Sequence, residues 1–154
     1  MHLIRDIYSA KRAAGRPVIS LEFFPPKTAE GEQKLRNARA QLAQLKPAFM
    51  SCTFGAGGST QEGTLRTVLE MHREGHTVAP HISCMGSGRE TIAALLDQYR
   101  EAGIRRLVCL RGDLPSGMAV AGEFRYAADL VRFVREHTGD WFHVEVAAYP
   151  EFHP

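Results

Sequence analysis

The sequence has no long run of charge of one sign and no apolar run long enough to cross a membrane. Its 154 residues carry 19 Lys+Arg against 17 Asp+Glu, for a formal net charge of +2. This balance argues against nucleic acid and anionic membranes as partners. The first seventeen residues read as an amphipathic helix and lack the apolar core of a signal peptide. We therefore expect a cytoplasmic protein with no nucleic-acid or membrane partner.

Cysteine is scarce, and no C-x-x-C pair occurs. Cys52, Cys84 and Cys109 are odd in number and lie in separate apolar segments, which favours buried reduced thiols over a disulfide framework. His81 and Cys84 are three residues apart and would point to opposite faces of a strand. We therefore predict no metal site and no cysteine nucleophile.

The sequence also lacks the common nucleotide and hydrolase motifs. No G-x-S-x-G elbow is present. The glycine-rich stretch over 53–60 has Thr60 at the third glycine position of G-x-G-x-x-G, and no Gly-Lys-Ser/Thr follows. A loop entering a helix can still offer backbone N–H groups to an anion. This signal is weak on its own.

What the sequence does contain is an alternation of short β-rich runs with helical patterns. The runs begin 29 to 35 residues apart, the length of one strand, one helix and their loops. Two capping-box patterns, Ser59-x-x-Glu62 and Ser87-x-x-Glu90, predict helix starts after strands. The β-rich runs span 18–24, 49–54, 78–84, 107–112 and 142–149. The helical stripes comprise Leu35, Ala38, Leu42 and Leu45; Ile92, Leu95, Leu96 and Tyr99; and Ala127, Leu130, Val131 and Val134.

Most of the strands are apolar on both faces, which predicts a parallel sheet covered by helices. The fifth run is the exception, because His143 and Glu145 alternate with apolar residues there. An open doubly wound sheet and a (β/α)₈ barrel both fit. A barrel usually needs about 250 residues, and this chain supplies four βα units and a fifth strand. The pattern leaves both folds open.

Polar residues fall at the carboxyl ends of the predicted strands, where both folds place their ligands. They are Glu22, Thr53, His81, Asp113 and Tyr149. Glu22 is the most unusual, since it interrupts the apolar stretch SLEFFPP and a carboxylate in a dry strand is costly. The sequence therefore predicts a ligand site at this edge.

Each of these residues also has a structural explanation. Glu22 could pair with a cation, and His81 could be a hydrogen-bonded core residue. Arg111-Gly112-Asp113 could be a surface turn. Their shared position after successive strands favours the functional interpretation.

The segments SLEFFPPKT, SCTFGAGGST, APHISC, LRGD and AAYPEFHP, together with Tyr126-Ala127-x-Asp129-Leu130, resemble the methylenetetrahydrofolate reductase family in order and spacing. The resemblance runs from about residue 18 to the last residue. It implies a (β/α)₈ (TIM) barrel with non-covalent FAD, of which residues 1–154 form a truncated N-terminal portion of one domain. That portion covers the first four βα units and strand five.

The resemblance implies FAD-dependent reduction of 5,10-methylenetetrahydrofolate to 5-methyltetrahydrofolate, with NADH or NADPH as electron donor, feeding methionine synthesis. Glu22 matches the catalytic acid that protonates the folate and opens its ring to a 5-iminium cation. Asp113 matches a catalytic aspartate that binds the folate ring and tunes the flavin. Partial burial beside Leu21, Phe23 and Phe24 would raise the pKa of Glu22 and keep it protonated.

The remaining family positions imply contacts with FAD, and Phe54 stands where many relatives have tyrosine. The cofactor-binding residues implied in this way are Thr53, Phe54, Ala56, His81, Arg111, Gly112, Asp113, Tyr126, Ala127, Tyr149 and His153. The resemblance also implies a folate substrate, a nicotinamide co-substrate and a homo-oligomer at full length.

Two alternatives remain open at this point. One is a non-catalytic flavin- or folate-binding module completed by another chain. The other is a different (β/α)₈ lyase or isomerase, which predicts no flavin.

Overall fold

A computed structural model of the chain describes residues 4–15, 17–54, 58–113 and 122–148. The chain divides into two compact units, Met1–Val78 and Ala79–Pro154. Among the described helices, none combines the length and apolarity that a membrane span requires. Strands and helices alternate throughout, which confirms the predicted α/β class.

The first unit contains two parallel strands and three helices. Helix α1 is the predicted amphipathic N-terminal helix, and a short 3₁₀ turn over Ala43–Leu45 follows α2. The elements are α1 Ile4–Ala13, β1 Ser20–Phe23, α2 Ala29–Leu42, β2 Phe49–Cys52 and α3 Gly58–Arg73.

Strands β1 and β2 pair in parallel, with Glu22 opposite Ser51 and Phe23 opposite Cys52. Because alternate residues of a strand face opposite sides, Phe23 and Cys52 share the buried side with Met50. Glu22 and Ser51 share the other side. The paired strands β1 and β2 thus have one apolar face and one polar face.

Charged side chains join α2 to α3 and to the residue that follows it. Arg39 is 1 % exposed, and its guanidinium donates to Glu74 at 2.6 and 2.9 Å and to Glu70 at 3.0 Å. Arg36 donates to the same oxygen of Glu70 at 2.6 Å. The predicted stripe on α2 fits less well, since Ala38 and Leu45 are exposed. The buried centre of that helix is an arginine, which apolar periodicity does not detect.

The second unit holds three parallel strands in the order β3-β4-β5, with helices α4 and α5. The stripe on α4 is confirmed, because all four of its members are buried, and Leu130 and Val134 of α5 are also buried. Indole donation from Trp141 to the carbonyl of Ile104, at 3.0 Å, ties the start of β5 to that of β4. The elements are β3 Val78–Ser83, α4 Arg89–Glu101, β4 Arg106–Leu110, α5 Ala127–Thr138 and β5 His143–Val146.

The polar residues of β5 are accounted for by its neighbour β4. Arg106 lies opposite His143 and Val108 lies opposite Glu145, so these four side chains share one face. Arg106 is 2 % exposed, and its Nη1 lies 3.4 Å from Oε1 of Glu145. Burial raises the pKa of Glu145 even though Arg106 opposes the shift.

Neither predicted capping box coincides with the start of its helix. Helix α3 begins at Gly58, so Ser59 lies within the helix instead of capping it. Helix α4 is capped by Gly88, not by Ser87. A carboxylate from outside α4 takes over the capping role there, as described below.

Candidate functional site

The first unit presents Glu22 and Thr53 near the carboxyl ends of β1 and β2. Glu22 lies opposite Ser51, and Thr53 is two residues farther along the same strand direction, so the three side chains project from one face. Glu22 and Thr53 therefore lie near the carboxyl ends of two neighbouring strands, as the sequence predicted.

The surroundings of Glu22 differ from the expectation. Glu22 is exposed, and Phe24, which was expected to shelter it, is 70 % exposed. The reason is strand parity: Phe23 packs into the core, and this turns its neighbours on either side toward the open face. The apolar flanking residues therefore do not bury the carboxylate within this chain.

The end of β2 is held rigidly by the backbone of Thr53. Its N–H donates to the carbonyl of Phe23 at 2.9 Å, and its carbonyl accepts from the hydroxyl of Thr64 at 2.9 Å. Thr64 lies on α3 and is fully buried. Phe54, the next residue, is half-buried. The strand end is thereby fixed to both β1 and α3.

The second unit presents His81 and Ser83 on β3. His81 lies opposite Val108 and Ser83 opposite Leu110, so the two polar side chains share the face that carries Arg106 and Glu145. His81 is 8 % exposed. His81 lies two residues before Ser83, which is the last residue of β3.

The turn after β4 comprises Arg111, Gly112 and Asp113. The Arg111 carbonyl accepts from the Ser83 hydroxyl at 3.0 Å, from the Met85 N–H at 3.0 Å and from the Cys84 thiol at 3.3 Å. The Arg111 side chain is half-buried, and its Nε donates to the Gly112 carbonyl at 3.3 Å. Asp113 is exposed. The turn thus carries a guanidinium and, two residues later, an exposed carboxylate.

Gly112 is required at this turn for two reasons. Its φ of +77° lies in the left-handed region, which residues with a Cβ rarely adopt. A Cβ at this position would also lie 1.9 Å from Oγ of Ser83. The predicted site residue Gly112 therefore has a structural necessity of its own.

Tyr126 and Ala127 lie where α5 begins. Tyr126 is 52 % exposed and Ala127 is the first helical residue. The Asp129 carboxylate accepts from the backbone N–H groups of Tyr126 at 2.9 Å and Arg125 at 3.2 Å. These hydrogen bonds hold the pKa of Asp129 below its ordinary value, the bond from Tyr126 being the larger cause.

The segment before Tyr126 is docked onto α4. Oε2 of Glu123 accepts from the backbone N–H of Arg89 at 2.7 Å, which caps the helix in place of a side chain on Gly88. Phe124 is fully buried, and the Arg89 guanidinium lies 5.7 Å from its ring centroid. Ala56, Tyr149 and His153, also predicted as cofactor contacts, lie outside the described residues.

The three cysteines are buried, as predicted. Burial raises the pKa of both the Cys52 and Cys109 thiols to about 12. A thiolate is the nucleophilic form, so neither side chain is suited to covalent chemistry. Among the described residues, no group of three or more histidine, cysteine or acidic side chains is arranged to hold a metal ion.

Sequence reasoning missed Ser83 and Glu123. A signal for Ser83 was available, because it stands two residues after His81 and must share its face in a strand. Glu123 had no such signal, since its partner Arg89 is 34 residues away.

Parallel strands that alternate with helices define an α/β protein, a class that places its ligand sites after the carboxyl ends of the strands. Residues 7–154 match the family model for methylenetetrahydrofolate reductase. The chain belongs to the methylenetetrahydrofolate reductase family.

Individual relatives agree with this membership. The chain is 43 % identical over 143 residues to "5,10-methylenetetrahydrofolate reductase" of Pectobacterium carotovorum subsp. carotovorum, covering 91 % of this chain and 46 % of the relative. It is 39 % identical over 147 residues to the protein of that name from Escherichia coli (strain K12), covering 95 % and 48 %. It is 39 % identical over 145 residues to "Methylenetetrahydrofolate reductase (NADH) 1" of Arabidopsis thaliana, covering 91 % and 24 %. The chain spans about half the length of the bacterial relatives.

Proposed function

We propose that residues 1–154 form the N-terminal portion of a (β/α)₈ barrel that binds FAD and reduces 5,10-methylenetetrahydrofolate to 5-methyltetrahydrofolate with NADH or NADPH. The product would feed methionine synthesis in the cytoplasm, and the full-length protein would be a homo-oligomer. The observation that carries the proposal is family membership over residues 7–154.

The side chains at the strand ends support the proposal. Within each unit, the polar groups implied by the family lie after the carboxyl ends of parallel strands, where a barrel of this class places its chemistry. The parallel pairing and the strand–helix alternation are compatible with four βα units and a fifth strand of such a barrel.

The second unit offers groups suited to a dinucleotide such as FAD. The half-buried guanidinium of Arg111 can pair with a phosphate oxygen. Gly112 allows the turn between Arg111 and Asp113, and Asp113 adds an exposed hydrogen-bond acceptor. The family positions also assign FAD contacts to His81, Tyr126 and Ala127 in this unit, and independently to Thr53 and Phe54 in the first. Bound FAD supplies a carrier that takes hydride from the nicotinamide and passes it to the folate.

Glu22 would act as the proton donor. Its carboxyl group would protonate a ring nitrogen of methylenetetrahydrofolate, and the C–N bond would break to leave a 5-iminium cation. A hydride added to the exocyclic carbon would then give the 5-methyl group. Asp113 would accept hydrogen bonds from the pterin ring and hold it for this transfer. Because Glu22 is exposed in this chain, a proton donor here can be recharged directly from water.

The first test is the visible absorbance spectrum of the purified chain before and after addition of FAD. We expect a flavin spectrum that is bleached by NADH and restored by methylenetetrahydrofolate. A folded chain that binds no flavin would contradict the proposal and favour the lyase or isomerase alternative. Flavin that binds without turnover would favour a non-catalytic module.

The second test separates the two half-reactions with Glu22→Gln. The neutral amide cannot donate a proton as an acid does, so folate reduction should fall by at least 10²-fold, the usual contribution of a general acid, while flavin reduction by NADH is kept. Glu30→Gln is the matched control, since Glu30 belongs to the same unit and is exposed in a pair with Lys34. Retention of folate reduction by Glu22→Gln would refute the assignment.

A further inference from the structure

The carbonyl oxygen of Arg111 accepts three hydrogen bonds from one short segment. The donors are the Ser83 hydroxyl at 3.0 Å, the Met85 N–H at 3.0 Å and the Cys84 thiol at 3.3 Å. A carbonyl has two lone pairs, and most backbone carbonyls have one partner. This oxygen is therefore the point at which the end of β3 holds the turn after β4.

Of the three donors, only Ser83 contributes a strong side-chain hydrogen bond. A thiol is a weak donor, and the N–H of Met85 is present whatever the residue there. Among these three donors, the Ser83 hydroxyl is therefore the strong one that a change of side chain removes.

Ser83 is also the residue that Gly112 packs against. A Cβ on Gly112 would lie 1.9 Å from Oγ of Ser83 and 3.1 Å from its Cβ. The left-handed φ of +77° at Gly112 turns the chain between Arg111 and Asp113. Ser83 and Gly112 thus pack directly against each other. The Ser83 hydroxyl donates to the carbonyl of Arg111, the residue just before Gly112.

We propose that Ser83 is a positioning residue of the flavin site. Its hydroxyl holds the Arg111 carbonyl and thereby keeps Arg111 and Asp113 in the arrangement that FAD and folate would meet. This role rests on the proposed function. In this role Ser83 acts through the Arg111 carbonyl, by raising the population of the turn that is competent to bind. The apparent affinity for the ligand scales with that population.

The test compares Ser83→Ala, Ser83→Thr and Thr138→Val in the whole chain. Ser83→Ala removes the hydroxyl and Ser83→Thr keeps it. Thr138 is a matched control in the same unit, because it is buried and its hydroxyl donates to the Val134 carbonyl at 2.7 Å on α5. Two quantities are measured: the dissociation constant of FAD by fluorescence titration, and hydrogen exchange of the Met85 amide in the flavin-free chain.

Ser83→Ala should weaken FAD binding and speed Met85 exchange by roughly threefold to tenfold each, the equivalent of one net hydrogen bond. Ser83→Thr should remain close to wild type. Thr138→Val should lower the unfolding midpoint and leave both quantities unchanged.

Wild-type FAD affinity in Ser83→Ala would overturn the inference, and so would a loss of affinity in Ser83→Thr equal to that in Ser83→Ala. Unchanged Met85 exchange beside weakened FAD binding would show that Ser83 does not act through the turn. If the folded wild-type chain itself binds no FAD, the proposed function fails. Met85 exchange then still decides whether the Ser83 hydroxyl holds the Arg111 carbonyl.

Discussion

At the scale of single residues, the candidate site depends on positions where backbone and side chain compete for the same space. Gly112 is the sharpest case, since it combines a left-handed φ with a neighbour that leaves no room for a Cβ. Gly75 has a similar φ of +89° but nothing within 4 Å of where a Cβ would lie. Comparing Gly112 with Gly75 therefore separates the cost of the left-handed backbone from the cost of crowding by a neighbour.

We predict that Gly112→Ala destabilises the chain more than Gly75→Ala. Both incur left-handed strain of about 1–2 kcal/mol. Gly112→Ala adds overpacking against Ser83, typically about 1–3 kcal/mol. Urea unfolding of the two variants and the wild type measures the difference, and equal losses would show that the space at Ser83 relaxes freely.

Glu70 should make the first unit sensitive to acid. Its hydrogen bond from Arg36 and its contacts with Arg39 hold the pKa of Glu70 below its ordinary value of 4.5 in the folded state. As the pH falls below the pKa that Glu70 has in the unfolded chain, the unfolded chain binds more protons at Glu70 than the folded chain does. The stabilisation is present above about pH 4.5 and is lost as the pH falls through the folded pKa.

Glu70→Gln should therefore flatten the dependence of the unfolding free energy on pH below about pH 4.5. Glu30→Gln serves as the control, because its pair with Lys34 is more than three-quarters exposed and screened by solvent. Urea unfolding at several pH values provides the slopes. A Glu70→Gln slope equal to that of wild type would contradict the role assigned to this cluster.

At the scale of secondary-structure elements, α4 depends on a residue from a different part of the chain for its cap. Glu123 accepts from the Arg89 backbone N–H at 2.7 Å and so supplies what Gly88 cannot. The same contact anchors the segment that leads into Tyr126 and Ala127. The hydrogen bond between Glu123 and Arg89 therefore both caps α4 and positions the segment before α5.

Glu123→Ala should cost about 1 kcal/mol, the usual loss when a capping acceptor is removed. Glu136→Ala is the matched control, since Glu136 also contacts Arg89, but through an exposed guanidinium pair at 3.3 Å. Such a pair contributes at most about 1 kcal/mol and often nothing measurable. Thermal unfolding of both variants provides the comparison, and a Glu123→Ala variant that unfolds at the wild-type temperature would show that the cap is dispensable.

At the scale of the whole molecule, β5 is an edge that invites association. In the described part of the chain it pairs with β4 alone, and its last residue, Val146, is 57 % exposed. Unprotected edge strands tend to pair with other chains. We predict self-association that rises with concentration.

Val146→Lys should reduce that association, because a charge on an edge strand opposes pairing. Leu45→Lys is the control, since Leu45 is 54 % exposed but lies on a 3₁₀ turn. Sedimentation velocity at increasing concentration measures both. Equal effects of the two lysines would point to general surface hydrophobicity as the cause.

The sequence by itself determined the strand–helix alternation, the buried stripe of α4 and the placement of Glu22 and His81 near strand ends, because period and strand length are local properties. Its motifs also determined the family, which the match over residues 7–154 confirmed.

Only the tertiary structure decided the buried Arg39, the cap from Glu123, the exposure of Glu22 and the hydrogen bond from Ser83 to Arg111. The hydrogen bonds made by Arg39, Glu123 and Ser83 join residues 28 to 35 positions apart. No local pattern specifies such partners, because they are set by which elements pack together and in what register.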